Sequence, residues 1–250
     1  MSSLEQFINH PRCDLGPNAW ILSDLAQTMK DARFMDLGVR YGASSAVLSV
    51  NAKENNNQVC GCDVNFNSFY EYGSKFVDEN YLCYLSDSVT LGKNWDEEPF
   101  DIIFVDTLHT REIVLAELYF WSNHLKPNGY FVFHDSHWQK NGGDVIGGIE
   151  WKRVDEAITD FFNLPTSVME MDTFETEDIS LKHYPESYGM TFIQVKNLDS
   201  FSKFKKNIDW NNVFEIRNTL IDMHFNTENP KFINCNLDFE SIENELVILP

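Results

Sequence analysis

Two carboxylates and an imidazole carry the clearest chemistry in the chain. Asp106 and His109 follow an apolar run in Val105-Asp106-Thr107-Leu108-His109-Thr110-Arg111. Asp135 closes a second apolar run in Phe133-His134-Asp135-Ser136-His137. If the two runs are neighbouring parallel strands, both acids project into one crevice. Facing carboxylates repel unless a proton or a cation intervenes. A hard divalent ion such as Mg²⁺ takes oxygen ligands, with water and substrate oxygens completing its shell. Asp106 and Asp135 therefore read as metal ligands. His109 stands at the edge of the same crevice and reads as a general base. A neutral imidazole there accepts the proton of a substrate hydroxyl, whose pKa the metal lowers further. The alternative for His109 is a cap on the helix that follows. His134 reads as a buried strand residue bonded to a carbonyl, and His137 as a loop histidine. The spacing of His134, Asp135 and His137 offers no strong zinc geometry.

A second stretch reads as a ligand loop. In Phe34-Met35-Asp36-Leu37-Gly38-Val39-Arg40-Tyr41-Gly42-Ala43-Ser44 an apolar run ends in an acid and meets two glycines before a small-residue helix. Gly38 permits a tight turn, and Gly42 permits close approach of the backbone to a ligand. The free N–H groups of the helix face the same place. The dinucleotide fingerprint is absent, because Arg40 stands two residues after Gly38.

The elements that must position these residues follow one another as apolar runs and helical stretches. Strands are expected at 33–37, 58–63, 81–85, 100–106 and 130–135, with two later candidates at 167–171 and 188–196. Helices are expected at 19–30, 43–53, 66–79, 111–125 and 152–163, with a short helix or loop at 89–98. Near-continuous apolar strands separated by helices indicate a parallel sheet buried on both faces. In such a sheet the ligand lies beyond the carboxyl ends of the strands. Those ends carry Asp36, Asp63, Asp87, Asp106 and Asp135 in succession. Asp63 falls where a ribose-binding acid belongs, and Asp87 with Ser88 is placed to meet an adenine edge. Singly, each acid could equally be a loop residue or a helix cap. Together they indicate a nucleotide-type site. The glycine-rich loop 137–151, with Trp138 and Trp151, reads as a substrate lid or as an ordinary surface loop. Residues 175–178 read as an acidic, mobile segment. A helix at 211–224 and an asparagine-rich acidic tail make up a different stretch, 197–250.

The totals narrow the partners. Lys+Arg 19 against Asp+Glu 39 gives a formal charge of −20. Such a surface repels phosphate backbones and anionic membranes, and the one dense basic run, Lys203 with Lys205-Lys206, is short. Nucleic acid and membrane are not the expected partners, and a homo-oligomer is compatible with the chain. The 20 phenylalanines supply ample core. The five cysteines form no C-x-x-C pair; those in strand runs read as buried small hydrophobes. With no leader pattern and no membrane-length apolar run, a cytoplasmic location is expected.

With these residues in hand, the chain resembles the class I S-adenosylmethionine-dependent methyltransferases. Within them it is similar to the macrocin and mycinamicin type of sugar O-methyltransferases and to cephalosporin-hydroxylase-like proteins. The resemblance spans about residues 14–196. It rests on Asp36-Leu37-Gly38-Val39-Arg40-Tyr41-Gly42-Ala43-Ser44, on Val105-Asp106-Thr107-Leu108-His109-Thr110 with Leu115-Ala116-Glu117-Leu118, and on Lys126-Pro127-Asn128-Gly129-Tyr130 leading to His134-Asp135-Ser136. It implies a Rossmann-like α/β fold with a seven-stranded, mostly parallel sheet, order 3-2-1-4-5-7-6. Residues 1–196 would form that domain and 197–250 a C-terminal extension. It implies S-adenosyl-L-methionine as cofactor, held by Asp36, Gly38, Gly42 and Ser44 at the methionine end, Asp63 at the ribose and Asp87 at the adenine. Asp106 and Asp135 would hold the metal, and His109 would be the base. Some relatives carry a second acid beside the position of Asp135; here the neighbours are His134 and Ser136. The relatives that methylate exocyclic amines of nucleic acids use an Asn/Asp-Pro-Pro loop, which Asp106-Thr107-Leu108-His109 lacks. A hydroxyl on a small molecule or sugar is the expected acceptor. The competing readings are a noncatalytic nucleotide-binding assembly module, an NAD-dependent oxidoreductase and a hydroxylase-type relative.

Overall fold

The apolar runs pair side by side. The computed structural model describes residues 5, 8, 13–138, 145–146, 149–150, 153–204, 210–211, 213, 215–216 and 231–234. Helix α1 (Asn18–Gln27) leads into β1 (Arg33–Leu37), α2 (Ala43–Leu48), β2 (Gln58–Asp63), α3 (Asn67–Glu71), β3 (Leu82–Leu85), α4 (Ser88–Asn94), β4 (Phe100–Val105), α5 (Arg111–Trp121) and β5 (Leu125–His134). A two-residue ribbon, β6 (Val145–Ile146) with β7 (Ile149–Glu150), precedes α6 (Val154–Phe161). Then come β8 (Thr173–Glu175), β9 (Ile179–Tyr184), β10 (Met190–Val195), α7 (Phe201–Phe204) and β11 (Lys231–Asn234).

Among the described residues the main sheet runs β11-β3-β2-β1-β4-β5-β10-β9-β8. Its middle seven strands reproduce the expected order, with β1 to β5 parallel and β10 antiparallel to β5. Two things differ from expectation. The sheet gains an edge strand on each side, β11 antiparallel to β3 and β8 antiparallel to β9. The sixth strand is also not 167–171. That segment turns as a 3₁₀ helix at Val168–Glu170, because Ser167 Oγ accepts the Met169 N–H and turns the chain locally. The strand is β9, whose buried and open positions alternate along Ile179–Tyr184. The acidic segment before it is the β8–β9 turn, closed by Thr176 N–H to the Ile179 carbonyl at 2.9 Å.

Alternation along β4 sorts the core into two layers. Ile102 and Phe104 pack with Phe34, Val132 and the inner faces of α1 and α2. Ile103 and Val105 pack with Phe131, Phe133, Trp121 and the inner face of α6. Pro127-Asn128-Gly129 is not a turn before the fifth strand but a loop-out within it. Leu125 pairs with Phe100 and Tyr130 with Ile102, and Asn128 takes a left-handed φ of 61°. Cys60, Cys62 and Cys83 are buried. No described helix is long and apolar enough to cross a membrane.

Candidate active site

The carboxyl ends of β1, β2 and β4 and the loop after β3 open onto one cavity of about 730 Å³, counting its open mouth. Gly38, Asp63, Asp87, Ser88, Asp106 and Thr107 are among its walls. A smaller hollow beside it is lined by Asp14, Gly38, Arg40, Ser44 and Asp106. The sequence rule that ligands sit beyond the strand ends thus describes where the space is.

The structure divides the expected cofactor residues into walls and supports. Gly38 has φ +94°, and a Cβ on it would lie 2.0 Å from the Asp106 carbonyl oxygen. Only glycine permits the loops after β1 and β4 to touch. Asp63 lines the cavity and accepts the Arg40 N–H at 2.7 Å and the Asn65 N–H at 3.0 Å. Burial raises its pKa. Asp87 both lines the cavity and caps α4, accepting the Thr90 N–H at 2.9 Å. Asp36 lines neither hollow. It is fully buried beneath the loop, where Ser44 Oγ donates to it at 2.8 Å and Ser45 Oγ donates to the same oxygen. Burial pushes its pKa up to about 7. Gly42 does not face the large cavity either. A Cβ there would meet Phe69 and the Gly73 Cα, so its close approach is to α3 and the turn after it.

The second constellation is drawn together tightly. His109 Nε2 lies 3.1 Å from Asp106 Oδ1 and 2.9 Å from Asp135 Oδ2. The helix that follows is capped by Thr110, not by His109. Burial alone would lower the His109 pKa, but the bonds to Asp106 and Asp135 outweigh it and raise the ring to about 10. The two carboxylates favour the charged form of the ring. Burial works to raise Asp106, yet His134 and His109 hold it well below the usual carboxylate range. Asp135 takes a left-handed φ of 55°, a strained backbone of the kind concentrated at functional sites.

His134 corrects the expectation of a carbonyl-bonded strand histidine. It is buried, neither ring nitrogen has a hydrogen-bond partner, and Nδ1 lies 3.5 Å from both Asp106 Oδ1 and Asp135 Oδ1. Its ring is raised to about 9, burial being outweighed by Asp106. Asp106, His134 and Asp135 each offer a ligand atom, and the three atoms lie within 4.8 Å of one another. The orphaned His134 nitrogens and Asp135 Oδ1 fit a divalent cation. Spacing concealed this, since the partner of the His134–Asp135 pair lies on the next strand. His137 is a loop residue as expected, held by its Nδ1 at 2.9 Å from His183 Nε2 and by its N–H donating to the Tyr188 carbonyl. Trp138 stacks on Tyr188 with centroids 4.7 Å apart and lies 6.1 Å from the His109 ring. Trp151 and most of the expected lid lie outside the described residues.

Residues 35–136, which hold the acids from Asp36 to Asp135 together with His109 and His134, match the family described as "Methyltransferase domain". This stretch is a methyltransferase domain. The match sets aside the NAD-dependent alternative. No curated protein matches the chain in sequence. The fold of the methyltransferase is shared with solved structures of low identity. TomG of Streptomyces achromogenes, an O-methyltransferase of tomaymycin synthesis in complex with SAM, is 16% identical with a TM-score of 0.57, over 79% of this chain and 91% of that one. The SAH-bound methyltransferase of Podospora anserina is 16% identical with a TM-score of 0.56, over 79% and 89%. The Bacillus cereus O-methyltransferase in complex with SAH is 17% identical with a TM-score of 0.52, over 78% and 91%.

Two residues of the methyltransferase site escaped sequence reasoning for want of a local signal. Arg40 lines both hollows and pairs with Asp14 at 3.2 Å, a contact spanning the N-terminal segment and the first loop. A left-handed φ of 47° at Arg40 brings its N–H onto Asp63.

Proposed function

We propose that the methyltransferase methylates a hydroxyl oxygen of a small molecule, a sugar being one such acceptor. The observation that carries this is His109 Nε2 standing between the Asp106 and Asp135 carboxylates, Asp106 being itself a wall of the cavity. A base and a cation-binding acid pair assist a hydroxyl, whereas an amine needs neither. The names of TomG and of the Bacillus cereus enzyme support oxygen as the acceptor atom. The charge of −20 opposes a nucleic acid.

S-adenosylmethionine would lie along Gly38, with its ribose at Asp63 and its adenine toward Asp87 and Ser88. The acceptor oxygen forms a bond to the methyl carbon as the carbon–sulfur bond breaks, leaving a neutral thioether. His109 Nε2, in its neutral form, receives the hydroxyl proton, and Asp106 and Asp135 stabilise the imidazolium that results. Asp106, Asp135 and His134 would hold a divalent ion, which when bound offsets the carboxylate charge and lowers the pKa of the hydroxyl. A nitrogen beside two oxygens suits a borderline transition ion as well as Mg²⁺. Alignment of oxygen, methyl carbon and sulfur by the cavity walls supplies much of the acceleration.

Calorimetry with S-adenosylhomocysteine, then methyl-transfer assays over a hydroxyl-compound library, test the reading. Binding with turnover on a hydroxyl, lost in His109→Ala, is the expected result. Binding without turnover on any hydroxyl, indifferent to His109→Ala, would favour the noncatalytic module.

A further inference from the structure

We infer that Glu117 is a positioning residue that ties the loop carrying Asp106 and His109 to the adenine end of the cofactor cavity. Glu117 lies on α5 and is fully buried. A single oxygen, Oε1, accepts from Thr107 Oγ1 at 2.6 Å and from Ser88 Oγ. Thr107 directly follows Asp106, and Ser88 directly follows Asp87. Both hydroxyl residues line the cavity, but from different strand ends. One helical turn further on, Trp121 Nε1 donates to the Ser88 carbonyl at 2.9 Å. The helix thus grips Ser88 twice and Thr107 once.

A carboxyl is a costly choice for a mere filler. Its second oxygen is buried without a hydrogen-bond partner, and burying an unpaired polar atom costs stability. Burial raises the Glu117 pKa to about 7, against the Ser88 and Thr107 bonds, which lower it. The neutral acid keeps the doubly accepting oxygen. That oxygen joins the two segments through this helix. Displacement of Ser88 by an arriving adenine therefore reaches Thr107 and the adjacent Asp106.

The inference rests on the cavity taking S-adenosylmethionine, so the test reports on both. Hydrogen exchange of amides 38–42 and 106–110 is measured with and without saturating S-adenosylhomocysteine. The wild type, Glu117→Gln, Glu117→Leu, Ser88→Ala and Thr107→Val are compared. In the wild type the ligand is expected to slow exchange in both segments, at 106–110 by about tenfold, a typical site-to-site coupling. Glu117→Gln, which retains the accepting oxygen, keeps both effects. Glu117→Leu, Ser88→Ala and Thr107→Val keep the slowing at 38–42 and lose it at 106–110. The two hydroxyl variants carry the test should Glu117→Leu not fold. Wild-type slowing at 106–110 in Ser88→Ala and Thr107→Val overturns the inference, leaving Glu117 a purely structural residue. Absence of slowing at 38–42 in the wild type overturns the cofactor reading itself.

Discussion

Gly38 and Asp106 meet backbone to backbone, so closely that a Cβ on Gly38 would lie 2.0 Å from the Asp106 carbonyl oxygen. Both positions are pinned by ladder bonds: Gly38 N–H donates to Cys62 O at 2.9 Å, and Asp106 N–H donates to Leu37 O at 2.8 Å. Neither loop can retreat without breaking the sheet end that forms the cavity. The cofactor loop and the strand end that carries Asp106 are therefore in direct backbone contact.

Gly38→Ala should be severe on two counts, the left-handed φ and the clash. A loss of about 2 kcal/mol or more is expected, the upper part of the range for a strained backbone position. S-adenosylhomocysteine binding should be lost with it. Urea unfolding and calorimetry measure both. A variant melting with the wild type would show that the loops have room to separate.

Asp36 sets a pH dependence of stability. Its folded pKa is about 7 against an ordinary value of 3.8. Between those values the folded chain holds a proton that the unfolded chain has released. Stability therefore falls as pH rises from about 4 to 7, and levels above 7. Glu117, raised to about 7 from 4.5, acts in the same direction. Asp36→Asn keeps an acceptor for Ser44 and Ser45 and removes the titration. Its unfolding free energy should fall less steeply over that window, by up to one proton's worth of slope. Parallel curves for the two proteins would show that Asp36 stays charged in the fold.

The fold was legible where each residue answers to its immediate neighbours. Apolar runs ending in Asp63 and Asp106 announced a parallel sheet, and of the successive acids Asp63, Asp87 and Asp106 line the cavity. Legibility failed where a residue's role lies across the sheet. Asp36 looked like its fellow acids, but two serines of the next helix claim its carboxylate. His134 looked like strand filling, because the carboxylate it faces is Asp106 on the adjacent strand. β11 went unseen because nothing in a short edge strand far along the chain tells which strand it will join.

The C-terminal segment should matter to cofactor binding. Val213 is buried against Val89 and Ile113, which line the cavity. Trp210 packs edge-on to Tyr119 of α5 at 4.0 Å. Val213→Asp places a charge in that apolar contact and should destabilise by about 2 kcal/mol or more. It should also weaken S-adenosylhomocysteine binding, whereas Val213→Ala has a milder effect. Calorimetry on the two variants decides it. Wild-type affinity in folded Val213→Asp would show that the segment does not support the cavity wall.

The reacting centre can be dissected by charge without disturbing its shape. Asp135 holds a left-handed φ of 55°, which asparagine tolerates better than most residues. Asp135→Asn therefore removes the charge and keeps the backbone. Its kcat should drop, while affinity for S-adenosylhomocysteine stays within about threefold, since the interaction serves the transition state and not the bound cofactor. His109→Gln should lower kcat by a factor of about 10² to 10⁴, the usual worth of a general base. Chelation of divalent ions should slow the wild type, and re-addition of Mg²⁺, Mn²⁺ or Zn²⁺ in turn should identify the ion that Asp106, His134 and Asp135 prefer. Chelation should have little further effect on Asp135→Asn, in which one ligand is already weakened. Full wild-type activity after chelation, together with an unchanged rate in Asp135→Asn, would remove the cation from the reaction and leave His109 between its two acids as the whole of the catalytic apparatus.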